Sequence, residues 1–475
     1  MNNNIIKNLT FLKSALADEG SFISTTEVIN WLVKRNKAVN VKISKIKFKD
    51  LIGWSFSEGN YNLKHNSGNF FSIDGIKVET NYGNLSEWKQ PIINQPEIGY
   101  LGFITKEFDG ILHFLVQAKI EPGNLNNVQL SPTLQATRSN YSQVHKGKAP
   151  RYLEYFRDRN RCTILLDQLQ SEQGARFLHK RNRNIILKTE EYIKIHDDFI
   201  WLTLGQIKKL IQYDNLVNMD TRTVISGIPF GSFTSRTIDF FRAIDKNRVS
   251  PIGEAMLESA LKNDKALMSI DEIIAWFTDL KCKFDLKLTK ISLSDIDDWI
   301  IDDFEIRHKN NKFFKVIATD VEICNREVAK WMQPLIQPAQ EGLIAFIVKK
   351  INGVFHFLIQ AKLECGNFDV LEMAPTVQCL TGNYRQTADG ELPFLKTVLN
   401  AKKDNIIFDT LQSEEGGRFY HEQNRNLLIK VSDDFNELIP INYCWMTLNQ
   451  LHSFLKYNNY LNIQARSLIS AISFI

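Results

Sequence analysis

The sequence predicts an α+β protein made of one mixed-sheet domain, flanked by helices and written twice in tandem. Three observations predict this. Sliding the 475-residue chain against itself by about 243 positions lays "HFLVQAKIEPGN" (113–124) on "HFLIQAKLECGN" (356–367), and "SPTLQATRSNY" (131–141) on "APTVQCLTGNY" (374–384). All eight tryptophans pair: Trp31 with Trp276, Trp54 with Trp299, Trp88 with Trp331, Trp201 with Trp445. Each copy carries helix signatures at its ends and strand-like alternation between them.

In chain order, Ser24 and Glu27 open the first copy with an S-x-x-E capping box, and Ser269 with Glu272 repeat it. The strand "HFLVQAKIE" then alternates faces. Phe114, Val116, Ala118 and Ile120 point one way; His113, Leu115, Gln117, Lys119 and Glu121 point the other. Its twin sets Phe357, Ile359, Ala361 and Leu363 against His356, Leu358, Gln360, Lys362 and Glu364. Solvent does not demand Gln rather than Glu at matching places, so the polar face reads as a pocket wall. "PTLQAT" puts Thr133 and Gln135 on one face, as its twin does Thr376 and Gln378, with Pro132 and Pro375 suited to a strand start. Asn140-Tyr141 and Asn383-Tyr384 stand where that strand enters a loop. Each copy closes on a T-x-x-Q helix start, Thr203 with Gln206 and Thr447 with Gln450. The expected units are a first repeat at 1–230, a helical linker at 231–264 and a second repeat at 265–475.

Composition is that of an ordinary globular chain, 44% hydrophobic and 24% charged. A net charge of +4 suits an anionic small ligand at least as well as nucleic acid, which usually meets a denser basic stripe. No apolar run approaches the roughly 18 residues of a membrane span, and the amino terminus lacks the order of a signal peptide. Six scattered cysteines without a C-x-x-C pair read as reduced thiols, so a cytoplasmic location is expected.

The strongest polar repeat is "LQSEQGARFLHKRNRN" (169–184) against "LQSEEGGRFYHEQNRN" (411–426), identical at eleven of sixteen positions. A packing motif would mainly hold its apolar residues. Arg176 and Arg183 recur as Arg418 and Arg425, and a guanidinium fork matches diphosphate oxygens bidentately. Lys119 and Lys362 add a point charge. His179 and His421 suit proton transfer near neutral pH, and nearby aromatics suit stacking on a base or sugar. There is no G-x-G-x-x-G after a strand, no G-x-x-x-x-G-K-[ST], no H-E-x-x-H and no G-x-S-x-G. The residues therefore point to acid–base work on a bound anion, with no metal and no cofactor.

At "LQSEQGARFLHKRNRN" with "LSPTLQATRSNY", and again at "LQSEEGGRFYHEQNRN" with "APTVQ…NY", the chain resembles the NDP-hexose 2,3-dehydratase family over almost its whole length. The resemblance implies duplicated Nudix-like domains in a homodimer, with a sugar-nucleotide pocket in each half of which one is catalytic. It implies a dTDP-4-keto-6-deoxyglucose substrate that loses its C2 hydroxyl, and a downstream ketoreductase that reduces the diketone. The Nudix hydrolase string G-x5-E-x7-R-E-x2-E-E-x-G is absent, so diphosphate hydrolysis is not expected.

On this reading Tyr141 and His179 are the acid–base candidates, Lys119 lowers a tyrosine pKa, and Glu172 is a competing base. Arg176 and Arg183 hold the diphosphate, while Gln117, Thr133, Gln135 and Asn140 orient the sugar. Tyr384, His421, Lys362, Glu414, Arg418, Arg425, Gln360, Thr376, Gln378 and Asn383 repeat these roles in the second copy. Arg138, His145, Lys146, Lys148, Lys180 and Arg181 make the first copy more basic than the second, which has Thr381, Ala388, Asp389, Glu422 and Gln423 at matching places. A diphosphate prefers the more basic field, which favours the first copy. Two rivals remain: a sugar-nucleotide binder without turnover, and a nucleic-acid module built on "HKRNRN".

Overall fold

The computed structural model describes residues 3–59, 61–137, 149–231, 250–261, 264–324, 328–380 and 392–475. Among them, the strands form two seven-stranded and two five-stranded sheets. The first seven-stranded sheet runs Thr163–Ser171, Arg181–Lys188, Gly99–Phe108, Ile111–Ile120 and Phe199–Thr203, with Val128–Ser131 and Leu134–Ala136 branching from it. Arg181–Lys188 lies parallel to Gly99–Phe108 and the other neighbours are antiparallel, so the sheet is mixed. Ile406–Ser413, Gln423–Lys430, Gly342–Ile351, Val354–Lys362 and Tyr443–Thr447 repeat the order in the second copy. The tandem α+β duplication read from the sequence is the architecture observed.

The five-stranded sheets depart from a simple two-bead arrangement. Ser72–Thr80 of the first copy takes Leu286–Ile291 of the second as its antiparallel edge, from Leu286 opposite Thr80 to Ile291 opposite Gly75. Reciprocally, Val41–Ile46 pairs with Phe314–Ile323, from Val41 opposite Ile323 to Ile46 opposite Ala318. The copies have exchanged their first strands. A Cβ at Gly75 would stand 2.8 Å from the carbonyl oxygens of Ile291 and Ser292, so a bare backbone lets the incoming strand lie close.

Local chemistry explains the element ends. Ser24–Glu27, Ser269–Glu272, Thr203–Gln206 and Thr447–Gln450 all form reciprocal capping boxes. Pro251–Leu261 is a helix, as "IGEAMLESALKN" predicts; "RTIDFFRAIDK" lies outside the described residues. Phe114, Val116, Ala118 and Ile120 share one buried core with Phe357, Ile359, Ala361 and Leu363, so the apolar faces of the twin strands close a common interior.

The repeated polar string forms the seam between copies. Phe177 and Phe419 meet with ring centroids 5.8 Å apart. The His179 amide donates to Gly366 O at 2.8 Å and the His421 amide to Gly123 O at 2.8 Å; Gly123 N reaches Gly416 O and Gly366 N reaches Gly174 O, each at 2.7 Å. Arg222 and Arg466 are both 1% exposed and reach across reciprocally. Arg222 donates to Ser413 O and to Ser467 Oγ at 2.8 Å; Arg466 donates to Ser171 O and to Thr223 Oγ1 at 2.9 Å.

Candidate active site

A cavity of about 470 Å³ opens on the first seven-stranded sheet. Strand alternation turns Lys119 toward it, and Glu121 and Pro122 continue the wall beyond the strand end. Lys119 Nζ donates to Gln135 O at 3.0 Å, and Gln135 Nε2 donates to Glu121 Oε1 at 2.7 Å. Asn182 receives the Gly99 amide on Oδ1 at 3.1 Å and donates through Nδ2 to Glu172 Oε1 at 2.7 Å. Asp220 enters from the first turn of the Met219–Ser226 helix, and Lys180 from the seam.

The second copy closes this cavity. Glu415 and Arg418 come from its polar string, and Lys330, Trp331, Met332 and Gln333 from its Lys330–Pro338 strand. The Arg418 guanidinium lies 4.1 Å over the Phe71 ring, and its Nε donates to Gln95 Oε1 at 3.2 Å. Trp54 Nε1 donates to Met332 O at 2.9 Å. The cavity thus has an aromatic end, at Trp54, Phe70, Phe71 and Trp331, and an ionisable end at Lys119, Glu121, Lys180, Asp220 and Glu415.

Burial sets the ionisable end. It pushes the Glu415 carboxyl up to about 7, Arg418 and Lys180 opposing and the neighbouring Glu121 and Glu172 adding to the rise. Burial raises Asp220 well above the usual carboxylate range, reinforced by Glu415, Glu121 and Glu172. Glu172, behind Asn182, is also raised by burial, with Arg466 the main opposing charge. Lys180 is lowered by burial against the pull of Glu172.

A second cavity, about 260 Å³, sits at the pseudo-equivalent place on the other sheet. Lys362 Nζ donates to Gln378 O at 3.0 Å and Gln378 Nε2 to Glu364 Oε1 at 2.7 Å, repeating the first cavity bond for bond. Here the first copy closes the wall: Gln173, Ala175 and Arg176 line it, with the Arg176 guanidinium 4.2 Å over Phe314. Lys180, Asp220 and Glu415 of the first stand where the second has Glu422, Gln464 and Gln173, and Lys330 of the first has its twin, Glu87, off the wall of the second.

The sequence model described as NDP-hexose 2,3-dehydratase matches residues 25–228 and again 270–472. A relative from Saccharopolyspora spinosa is 46% identical over 463 residues, covering 97% of this chain and 94% of the relative. One from Amycolatopsis orientalis is 39% identical over 466 residues (97% and 92%), and one from Streptomyces violaceoruber 40% identical over 449 (93% and 95%). All three are named dTDP-4-dehydro-6-deoxy-alpha-D-glucopyranose 2,3-dehydratase. The chain belongs to the NDP-hexose 2,3-dehydratase family.

In this family member the residues singled out by sequence scatter into three groups. Lys119 and Gln135 line the first cavity, with Glu172 one hydrogen bond behind; Lys362, Gln378 and Glu414 line the second. Arg176 and Arg418 also line cavities, each of them the one built on the other copy's sheet. The remaining described candidates line neither cavity. Arg183 is taken by Asp167 and Arg425 by Asp409, because strand alternation turns them away from Asn182 and Asn424. Thr133 and Thr376 spend their hydroxyls on Leu115 O and Leu358 O. Gln117 and Gln360 stop short of the cavities.

His179 and His421 sit at φ 49° and 53°, a left-handed turn that histidine tolerates better than most residues, with His179 against Phe368 and His421 stacked on Tyr420. Their repetition follows the turn rather than a cavity. Asn140, Tyr141, Asn383 and Tyr384 lie outside the described residues. Sequence reasoning missed Asp220, Glu415, Asn182 and, of the aromatic end, Trp54, Phe70 and Phe71; Trp331 was among the aromatics expected to stack on a base or sugar. The available signal was the mismatches between the copies, of which Gln173 against Glu415 and Lys180 against Glu422 fall inside the repeated string. Among the described residues no group of three or more His, Cys, Asp or Glu stands ready to hold a metal ion.

Proposed function

We propose that the protein is a hydro-lyase that removes water across C2 and C3 of dTDP-4-keto-6-deoxyglucose, and that the first cavity performs the reaction. The names of three near-full-length relatives support the substrate and the reaction. The observation that carries the choice of cavity is the trio Lys180, Asp220 and Glu415, whose twins Glu422, Gln464 and Gln173 offer one ionisable group instead of three.

The C3 proton is acidic beside the C4 ketone. Glu415, with its carboxyl near neutrality, takes it, leaving an enediolate that Lys119 or Lys180 stabilises at the C4 oxygen. Asp220, raised well above the usual carboxylate range by burial and by Glu415, Glu121 and Glu172, gives a proton to the departing C2 hydroxyl. Water leaves, a C2–C3 double bond forms, and the enol shifts to the 3,4-diketo-2,6-dideoxy sugar. Atoms and electrons balance without an external oxidant. Arg418 suits the diphosphate, and the Trp54, Phe71 and Trp331 end suits the base. Glu172 competes as base from behind Asn182, and Tyr141 as proton donor. The product is an electrophilic vicinal diketone, which a downstream ketoreductase would consume; the family resemblance supports a homodimer, and the six free cysteines support a cytoplasmic setting.

The test is to incubate the purified protein with dTDP-4-keto-6-deoxyglucose and a ketoreductase trap, followed by mass spectrometry and proton NMR. A nucleotide-linked 2,6-dideoxy sugar is expected. Unchanged substrate that still binds in calorimetry would favour a binder without turnover.

A further inference from the structure

We propose that the second cavity binds a sugar nucleotide whose hexose carries a protonated amine, seated against Glu422 and Glu414. This rests on the reading that the first cavity takes the neutral keto sugar. Charge is the first observation. The first cavity is lined by four cations (Lys119, Lys180, Lys330, Arg418) against three carboxylates (Glu121, Asp220, Glu415). The second is lined by two cations (Arg176, Lys362) against three carboxylates (Glu364, Glu414, Glu422). A neutral sugar suits the first balance; the second lacks a cation.

Unmet hydrogen bonding is the second observation. Glu422 is 6% exposed and Gln464 5%, both line the cavity, and Glu422 Oε2 and Gln464 Oε1 have no hydrogen-bond partner. A buried acceptor without a donor keeps its full desolvation cost, larger when charged, so the cavity is built for a ligand that donates. The protein's own cations meet this need only in part. Lys362 donates to Gln378 O; the Arg176 guanidinium stacks on Phe314, donates to Ala175 O at 3.2 Å, keeps an unpartnered Nε and is the charge that opposes the rise at Glu422. Both would be drawn to a diphosphate first.

The contrast with the first cavity locates the amine. There Lys180 stands near Glu172, which Asn182 holds; at the twin places Glu422 stands near Glu414, which Asn424 holds. Two carboxyl groups now share the space where a lysine and a glutamate would neutralise each other. Burial and Glu422 accordingly push Glu414 up to about 8. A sugar ammonium placed between them supplies the missing charge and donates to Glu422 Oε2, which a hydroxyl supplies only in part. Amination of a keto-hexose yields this ligand class.

The experiment is calorimetric titration of the full chain at pH 7 with two probes, a dTDP-linked 4-amino-4,6-dideoxyhexose and dTDP-glucose. The amino probe is expected to bind one site about tenfold or more tighter. Glu422→Gln is expected to abolish that preference, and Arg183→Gln, at a position that lines neither cavity, to keep it. Should the glutamine variant fold poorly, Glu422→Lys serves, since lysine already occupies the twin position. Equal affinity for the two probes, or a preference that survives both Glu422 variants, overturns the proposal. Turnover of the keto substrate is measured separately; its absence would sink the dehydratase reading without altering this binding result.

Discussion

A carboxyl group that gives up its proton near neutrality is matched to proton abstraction beside a ketone, and burial places Glu415 there. Since a base must be ionised, kcat/KM is expected to rise with pH through about 7. Glu415→Gln should lower kcat about a hundredfold to ten-thousandfold; a milder loss would move the role to Glu172. The same shift speaks about stability. A carboxyl raised by folding stabilises the protein at low pH, and that contribution is lost as pH climbs through the folded value near 7. Glu415→Gln should therefore melt above the wild type at pH 8, with the gap closing toward pH 5, as scanning calorimetry would show. The arginines give a second comparison. Arg418→Ala should reduce kcat/KM more than Arg176→Ala does, because Arg418 lines the first cavity. If Arg176→Ala proves the more damaging, the reaction belongs in the second.

Among elements, the tightest constraint is the crossing of the two seam loops. A Cβ on Gly123 would stand 1.5 Å from Phe419 O, and one on Gly366 1.9 Å from Phe177 O. Gly123→Ala or Gly366→Ala is expected to cost about 3 kcal/mol or more, since neither carbonyl is a flexible side chain that gives way. Denaturant unfolding would measure it, and a loss below 1 kcal/mol would show that the seam relaxes. These glycines also show what the sequence disclosed. Their flanks, "EPGN" and "ECGN", belong to the strings whose recurrence about 243 positions apart disclosed the duplication, while capping boxes and alternating faces were legible because each depends on neighbours along the chain. Strand exchange was not. Val41–Ile46 carries the same apolar alternation whether it pairs with its own copy or the other, so periodicity is silent on the partner. The site suffered similarly. Identity between copies collected Arg183, Thr133 and His179, kept for strand pairing, backbone bonds and a turn, together with Lys119 and Gln135, kept at the cavity wall.

For the whole molecule, exchanged strands, a shared core and reciprocal arginines leave neither half complete. Residues 1–230 and 250–475 expressed separately are expected to be insoluble or unfolded by circular dichroism. Expressed together they should copurify and recover sugar-nucleotide binding, because each supplies the other's edge strand and cavity wall. A half that folds cooperatively alone would contradict this.

The exchange also bears on how such a chain diverges. In a symmetric pair of identical subunits, any substitution appears in both sites at once, and neither can change its chemistry alone. Joining the copies in one gene lifts that restriction, but unevenly. Lys180 and Asp220 of the first cavity are encoded in the first repeat and Glu415 in the second. Specialising one site therefore required coordinated change in both repeats. Recombination that made the repeats identical again would give each site the other's residues and leave the two cavities alike.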